Sequence, residues 1–130
     1  SSAASDVYKR QPQGVALITD CMSAGGRPDG DYMLGELPVI VENGTARLKE
    51  GGNLAGSILQ LKDGVKHVVD WGLVTVAQAL QMATSIPAKS VGLENICGSL
   101  KAGLPADFIV LDDSLELQAT YIDGRKGWEK

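Results

Sequence analysis

The residue of this sequence best placed for chemistry is Asp20, a carboxylate that directly follows an apolar segment. That segment covers residues 14–18, carries no polar interruption and ends abruptly at Thr19-Asp20. A run of this kind is typical of a strand buried on both faces, as in a parallel sheet. A carboxylate at the carboxyl end of such a strand lies where α/β barrels place catalytic groups. Asp20 is therefore a candidate catalytic residue, and the alternative is an aspartate that caps or anchors the following loop.

The composition indicates one modest globular domain with its own core. The chain has 130 residues, of which 44% are hydrophobic and 22% charged. A net charge of −4 argues against a nucleic-acid or anionic-membrane surface, since either requires clustered lysine and arginine. No apolar run approaches the roughly 20 residues that a membrane-spanning helix needs. We therefore expect a cytoplasmic protein that binds neither nucleic acid nor membrane.

The two cysteines, Cys21 and Cys97, show neither the spacing nor the neighbours of a metal or redox motif. We predict reduced, buried thiols, with a disulfide as the alternative. Neither cysteine is a candidate metal ligand on this pattern.

The beginning of the sequence differs in character from the remainder. Residues 1–11 show no sustained apolar period, and residues 6–11 resemble the translation of a sequencing-library adapter. We expect a non-native or disordered tail, with a native polar tail as the alternative. Because there is no initiating methionine and a buried-type strand follows almost at once, we expect a carboxyl-terminal piece of a longer protein.

A β-hairpin is predicted at about residues 32–48, beside the candidate site. Asn43-Gly44 lies between β-prone flanks, and a type I′ turn requires positive φ at both central positions. None of its side chains is an evident catalytic group. We interpret the hairpin as an excursion from the main fold.

Small residues at positions 51–57 form a predicted loop that leads into a helix. Ser57 and Gln60 fit a capping box, and apolar residues then recur at three- and four-residue spacing until Gly72 ends the helix. Such a loop can bring backbone N–H groups close to a ligand. The alternative is an ordinary tight loop with a good cap.

Two further helices are predicted after this one. Thr75 with Gln78 makes a second capping box, and Pro87 is tolerated in the first turn of a short helix that ends near Gly92. These helices are interpreted as structural.

The carboxyl-terminal part predicts strands at residues 106–111 and 117–122, followed by a hairpin turn at Asp123-Gly124. This antiparallel sheet belongs to a different layer from the opening strand. Metal-binding carboxylates and solvated turn aspartates are the two alternatives for its acidic residues, and the absence of histidines at ligand spacing favours the second. Those residues are Asp107, Asp112 and Asp113.

Four stretches carry a resemblance to a known family. Residues 18–26, 28–35 and 53–57 are the most specific, and residues 98–111 are shared more widely. In order along the chain, residues 14–130 resemble the carboxyl-terminal third of the N-acetylglucosamine-6-phosphate deacetylases, within the amidohydrolase superfamily. Residues 28–35 and 53–57 select the sugar-phosphate deacetylases within that superfamily.

The resemblance implies an α/β fold, a metal-dependent (β/α)₈ TIM barrel with a small β-sandwich. Residues 12–97 then supply the last strand and outer helices of the barrel. Residues 98–130 supply strands of the β-sandwich.

The resemblance also implies the chemistry. The family removes acetate from N-acetylglucosamine 6-phosphate and leaves glucosamine 6-phosphate. Asp20 acts as general base and then general acid for a metal-activated water, while Ser57 stays a cap. The implied cofactor is a divalent metal ion, zinc or iron, and the family's metal ligands have no counterpart in this sequence, so this piece alone is expected to be inactive. The complete enzyme is expected to be a homo-oligomer, a dimer or tetramer, that binds its amino-sugar phosphate partly through Leu54, Ala55 and Gly56.

Two other functions stay open. Another amidohydrolase, such as an N-acyl-amino-acid deacylase or a cyclic-amide hydrolase, would share Asp20 and the strand near residue 108, although residues 28–30 and 54–57 speak against it. A non-catalytic α/β domain that folds alone is the alternative from a different class.

Overall fold

The computed structural model describes residues 11–130, and the predicted tail at 1–11 lies outside them except for Gln11. The described residues divide into two compact units, each with its own core. One unit is Ile18–Gly64, and the other contains the described residues up to Leu17 together with Val65–Lys130. The predicted division at residues 97 and 98 stays a prediction.

The unit Ile18–Gly64 is built on a four-stranded antiparallel sheet. Its strands follow the chain in the order β1-β2-β3-β4, each paired with the next. They are β1 (Gly30–Leu34), β2 (Leu37–Glu42), β3 (Thr45–Leu48) and β4 (Leu54–Gly56).

The predicted hairpin is confirmed as β2 and β3. Asn43 and Gly44 join them with φ values of 49° and 74°, and Glu42 pairs with Thr45 on either side of the turn. Asparagine and glycine are the residues that adopt this left-handed conformation most readily, which is why a two-residue turn forms here.

One face of this sheet carries the core of the unit. Val41 and Ala46 face each other across β2 and β3, and Ala24 from the loop after Asp20 is buried against them. The side chains of Met22, Tyr32 and Ile58 pack around this cluster. The loop is therefore anchored on the sheet by the burial of Ala24.

The opening segment does not form the buried ladder that its apolar run predicts. Residues 15–20 pair with no strand of the described chain, and Ile18 is 77% exposed. The first pairing comes at Cys21, in a single parallel bridge to Ser57. A central parallel strand is buried only when strands flank it and helices cover both faces, and residues 11–130 provide no second neighbouring strand.

After a short 3₁₀ helix at Pro12–Gly14, the first α-helix, α1 (Leu61–Asp70), begins later than the proposed cap at Ser57. The Ser57 hydroxyl accepts a 3.1 Å hydrogen bond from the backbone N–H of Leu59, so the predicted capping box with Gln60 is wrong. Ser57 is held instead by its bridge to Cys21, a tertiary contact that outweighs the local capping preference.

The end of α1 agrees with the prediction. Gly72 has a φ of 69°, and its N–H donates to the carbonyl of Val69 while the N–H of Leu73 donates to that of Val68. This pair of hydrogen bonds is a Schellman motif, which requires a left-handed residue at the position of Gly72.

Two helices follow, α2 (Val76–Ala83) and α3 (Ser85–Ser90). The second capping box is confirmed, because Thr75 accepts from the N–H of Gln78 and the Gln78 side chain accepts from the N–H of Thr75. The core of the unit that contains Val65–Lys130 is formed by Val65, Val68 and Ala79. Packed against it are Leu17, Val69, Val74, Leu80 and Ala83.

The carboxyl-terminal sheet has three antiparallel strands, β5 (Phe108–Leu111), β6 (Leu117–Ile122) and β7 (Arg125–Glu129). The two predicted strands and the turn between β6 and β7 are confirmed. The rings of Phe108 and Tyr121 stack across β5 and β6 with centroids 4.5 Å apart.

The acidic residues of this sheet serve its turns. Asp107 accepts a 2.7 Å hydrogen bond from the N–H of Asp123, and Asp112 accepts from the N–H groups of Ser114 and Glu116 at 2.9 Å.

On β7, the hydrogen bond and charge of Glu129 raise the pKa of the exposed Lys126.

Candidate functional site

Asp20 lies at the end of the extended opening segment, with an exposed side chain and a φ of 47°. Aspartate is one of the few residues other than glycine that adopt this left-handed conformation. Among the side-chain hydrogen bonds and ion pairs of residues 11–130 none involves Asp20, whereas Asp29 and Asp112 each accept backbone N–H groups. Asp20 therefore does not cap a helix or anchor a loop in the part of the chain that the structure describes.

Backbone pairing brings Asp20 next to the other predicted site segment. Cys21 forms a parallel bridge with Ser57, and the N–H of Met22 donates a 2.8 Å hydrogen bond to the Ser57 carbonyl. Ser57 directly follows β4, which contains Leu54, Ala55 and Gly56. Paired strands lie about 4.8 Å apart, so the carboxylate and these residues border the same strip of surface.

Leu54, Ala55 and Gly56 form a strand where the sequence predicted a loop. Gly56 pairs with Ala46 of β3, and Leu54 pairs with Arg47 across an irregular register. The Leu54 side chain is 71% exposed, like several other large apolar side chains of the described residues, such as Leu100 at 71%. Because β4 is an edge strand, its outer backbone groups are also accessible for hydrogen bonding.

The turn before β4 is held by two contacts that the sequence did not reveal. The Arg47 guanidinium donates a 2.9 Å hydrogen bond to the carbonyl of Gly52, and the N–H of Leu48 donates to the carbonyl of Asn53 at 2.8 Å. These bonds fix where the chain enters β4.

The loop between Asp20 and β1 is tied to the sheet by residues of the second specific stretch. Asp29 accepts a 3.0 Å hydrogen bond from the N–H of Asn43 at the tip of the hairpin. The hydroxyl of Tyr32 donates to the carbonyl of Pro28 at 2.6 Å. Pro28, Asp29 and Tyr32 therefore act structurally, by holding the loop beside the candidate site.

The cysteine prediction needs a correction. Both Cys21 and Cys97 are free and exposed rather than buried. Cys21 is exposed although its backbone pairs with Ser57.

A family model described as "Amidohydrolase family" matches residues 14–127. The chain belongs to the amidohydrolase family. It is 39% identical to a human N-acetylglucosamine-6-phosphate deacetylase over 94% of this chain and 30% of the relative. It is 40% identical to an N-acetylgalactosamine-6-phosphate deacetylase of Escherichia coli O157:H7, over 85% of this chain and 29% of the relative.

The solved structures support the same fold. The N-acetylglucosamine-6-phosphate deacetylase of Thermotoga maritima matches 98% of this chain with a TM-score of 0.83 and 31% identity. This amidohydrolase chain covers 35% of that structure and 30% of the human relative. The predicted α/β fold class, a part of a TIM-barrel amidohydrolase with strands of a small β-sandwich, is confirmed.

Amidohydrolases in general depend on a divalent metal ion. Within residues 11–130 no three His, Cys, Asp or Glu side chains are grouped so that they could hold one. The single histidine of the sequence, His67, is exposed and stacks on Trp71 with ring centroids 5.7 Å apart. The described residues therefore do not fit a complete metal site.

No helix in the described part of the chain combines the length and apolar character that crossing a membrane requires.

Proposed function

We propose that this chain is part of an amidohydrolase that converts N-acetylglucosamine 6-phosphate into glucosamine 6-phosphate and acetate. The observation that carries the proposal is the pairing of Cys21 and Met22 with Ser57, which sets Asp20 beside Leu54–Gly56. The named activities of the relatives support it, since curated deacetylases of this type align with nearly the whole chain. Because the chain covers about 30% of those relatives, the activity is proposed for the complete enzyme.

Asp20 carries the proton transfers of this proposal. Hydrolysis of an amide requires a base that takes a proton from the attacking water and an acid that protonates the departing amine. One carboxylate can do both in sequence, because accepting the first proton turns it into the required acid. The Asp20 side chain suits this role, since it is exposed and free of hydrogen bonds within residues 11–130.

Leu54, Ala55 and Gly56 position the substrate in this proposal. The exposed Leu54 side chain provides an apolar contact for the ligand, and the outer backbone groups of β4 provide hydrogen bonds. The side chain of Met22 lies under Gly56, where an added Cβ would come within 3.4 Å of its sulfur. The side-chain direction at residue 56 therefore points toward the packed Met22 side chain.

The metal, the assembly and the location complete the proposal. The resemblance implies that the metal ion is zinc or iron. We assign no residue of this chain as a ligand of that metal, so the role proposed for Asp20 is limited to proton transfer. We infer a homo-oligomeric, cytoplasmic enzyme that acts on a small phosphorylated amino sugar.

N-acetylgalactosamine 6-phosphate is a second candidate substrate, and it must be compared directly with N-acetylglucosamine 6-phosphate. The relative from Escherichia coli O157:H7 is named for N-acetylgalactosamine 6-phosphate, and its identity to this chain matches that of the glucosamine-named relatives. The test is acetate release by the purified full-length enzyme from both sugar phosphates. We expect a higher kcat/KM for N-acetylglucosamine 6-phosphate. Hydrolysis of an N-acyl amino acid or a cyclic amide, with neither sugar phosphate consumed, would overturn the proposal.

A further inference from the structure

The Met22 side chain belongs to one segment of the candidate site and packs beside the other. Met22 follows Asp20 by two residues, and its half-buried side chain packs against the buried core cluster of the sheet. Its Sδ and Cγ atoms lie 3.4 and 3.8 Å from the position that a Cβ on Gly56 would take. Gly56 has no side chain of its own, so the Met22 side chain fills the space between β4 and the core.

The backbone of Met22 is held on both sides. Its N–H donates the 2.8 Å hydrogen bond to the carbonyl of Ser57, and its carbonyl accepts a 3.0 Å hydrogen bond from the N–H of Gly25. The first bond ties Met22 to the residue that follows β4, and the second closes the turn that contains the buried Ala24. A movement of Met22 is therefore passed on to the chain on either side of it.

Shortening this side chain would leave a space between the core and β4. Protein interiors contain few such voids, and the neighbouring groups move part of the way into one that is created. The groups that border this space are Gly56 of β4 and the segment that carries both Asp20 and Met22. Their approach would change the position of the Asp20 carboxylate relative to β4. A misplacement of about 1 Å can lower turnover about a hundredfold.

We propose that Met22 is a positioning residue, whose packed side chain sets the distance between Asp20 and the substrate-binding strand β4. This inference rests on the proposed function, which assigns proton transfer to Asp20 and substrate binding to β4. Met22 acts through these two groups and not by contact with the substrate, since its side chain packs against the core of the sheet.

Three substitutions at position 22 of the full-length enzyme test this role. Met22→Leu conserves the side-chain volume, so kcat is expected to stay within about threefold of wild type. Met22→Val should lower kcat about threefold to tenfold, and Met22→Ala about tenfold to a hundredfold. We expect KM to change less than about threefold in each, because β4 keeps its own side chains and outer backbone groups.

The results that would overturn the inference follow from this order. Wild-type kcat in both the valine and the alanine variants would do so, and so would a leucine variant as slow as the alanine variant. A rise in KM at unchanged kcat would show that the side chain supports substrate binding alone. If Met22→Ala does not fold, Met22→Val with wild-type kcat is sufficient to reject the role.

Two control variants separate positioning from a loss of stability. Val39→Ala shortens a fully buried side chain of β2 that belongs to neither segment of the site, so Tm should fall while kcat stays within about twofold. Met33→Ala removes a half-exposed methionine of β1 and should change neither quantity. If Val39→Ala lowers kcat as much as Met22→Ala does at an equal loss of Tm, the effect is one of stability and the inference is wrong.

Failure of the proposed function would give a different result. A wild-type enzyme that releases acetate from neither sugar phosphate refutes the proposed function. A wild-type enzyme that is an active deacetylase, with a kcat that does not depend on the volume of residue 22, refutes the role of Met22 alone.

Discussion

The backbone N–H of Met22 donates a 2.8 Å hydrogen bond to the carbonyl oxygen of Ser57, and this bond joins the two segments of the candidate site. Asp20 lies two residues before Met22 on one segment, and Leu54–Gly56 directly precedes Ser57 on the other. Burial of Ala24 and packing of Met22 against the same sheet keep both segments in place. The site is therefore supported by the core of the unit Ile18–Gly64 and not by loop contacts alone.

The first prediction concerns Leu54. We expect Leu54→Ala in the full-length enzyme to raise KM about tenfold with little change in Tm, since the side chain is exposed and the lost contact is with substrate. Steady-state kinetics and thermal unfolding measure the two effects. The matched control is Leu37→Ala on β2, which removes another exposed leucine of the same sheet and should leave KM unchanged. An equal effect of both variants would contradict a substrate contact at Leu54.

The second prediction concerns Gly64 inside α1. A Cβ there would meet only the Leu59 side chain, at an ordinary 3.6 Å, and Gly64 has no left-handed backbone angle. We expect Gly64→Ala to raise the free energy of unfolding of the full-length enzyme by about 0.5–1 kcal/mol, because alanine loses less backbone entropy in a helix. Chemical denaturation measures this change. A destabilised variant would show that α1 requires a glycine for packing.

The third prediction uses Gly72, where the same substitution should have the opposite sign. Its φ of 69° is unfavourable for alanine, so in the full-length enzyme Gly72→Ala is expected to lower the free energy of unfolding by about 1 kcal/mol. Gly72→Asn should lose less, because asparagine tolerates left-handed angles. Equal stability of the alanine variant and wild type in chemical denaturation would mean that the Schellman motif ending α1 is not formed.

The fourth prediction concerns residues 12–130 expressed alone. The buried hydrophobic side chains of the described chain belong to alanines, valines and Met82, whereas Ile18, Trp71 and Leu100 are largely exposed. We expect this polypeptide to bind a hydrophobic dye, to unfold without a sharp transition and to show no deacetylase activity. A cooperative melt from a monomer would instead support a non-catalytic domain that folds alone.

Features specified by neighbouring residues could be predicted from the sequence. Asn43-Gly44 carries its own turn conformation, and Thr75 with Gln78 carries its own cap, so both predictions are confirmed. The sheet of β5 to β7 was also predictable, because its strands are joined by short turns.

Features that depend on distant partners could not be predicted. β4 has three residues, two of them alanine and glycine, and it is a strand only because β3 pairs with it. Ser57 has the local pattern of a helix cap, and its bridge to Cys21 overrides that pattern.

Asp20→Asn in the full-length enzyme tests the central claim most directly. Asparagine tolerates the φ of 47° and keeps the shape of the side chain, but it cannot take up a proton. We predict that kcat for N-acetylglucosamine 6-phosphate falls by about 10²–10⁴-fold while KM and Tm stay close to wild type. A variant that keeps near-normal kcat would remove Asp20 from the mechanism.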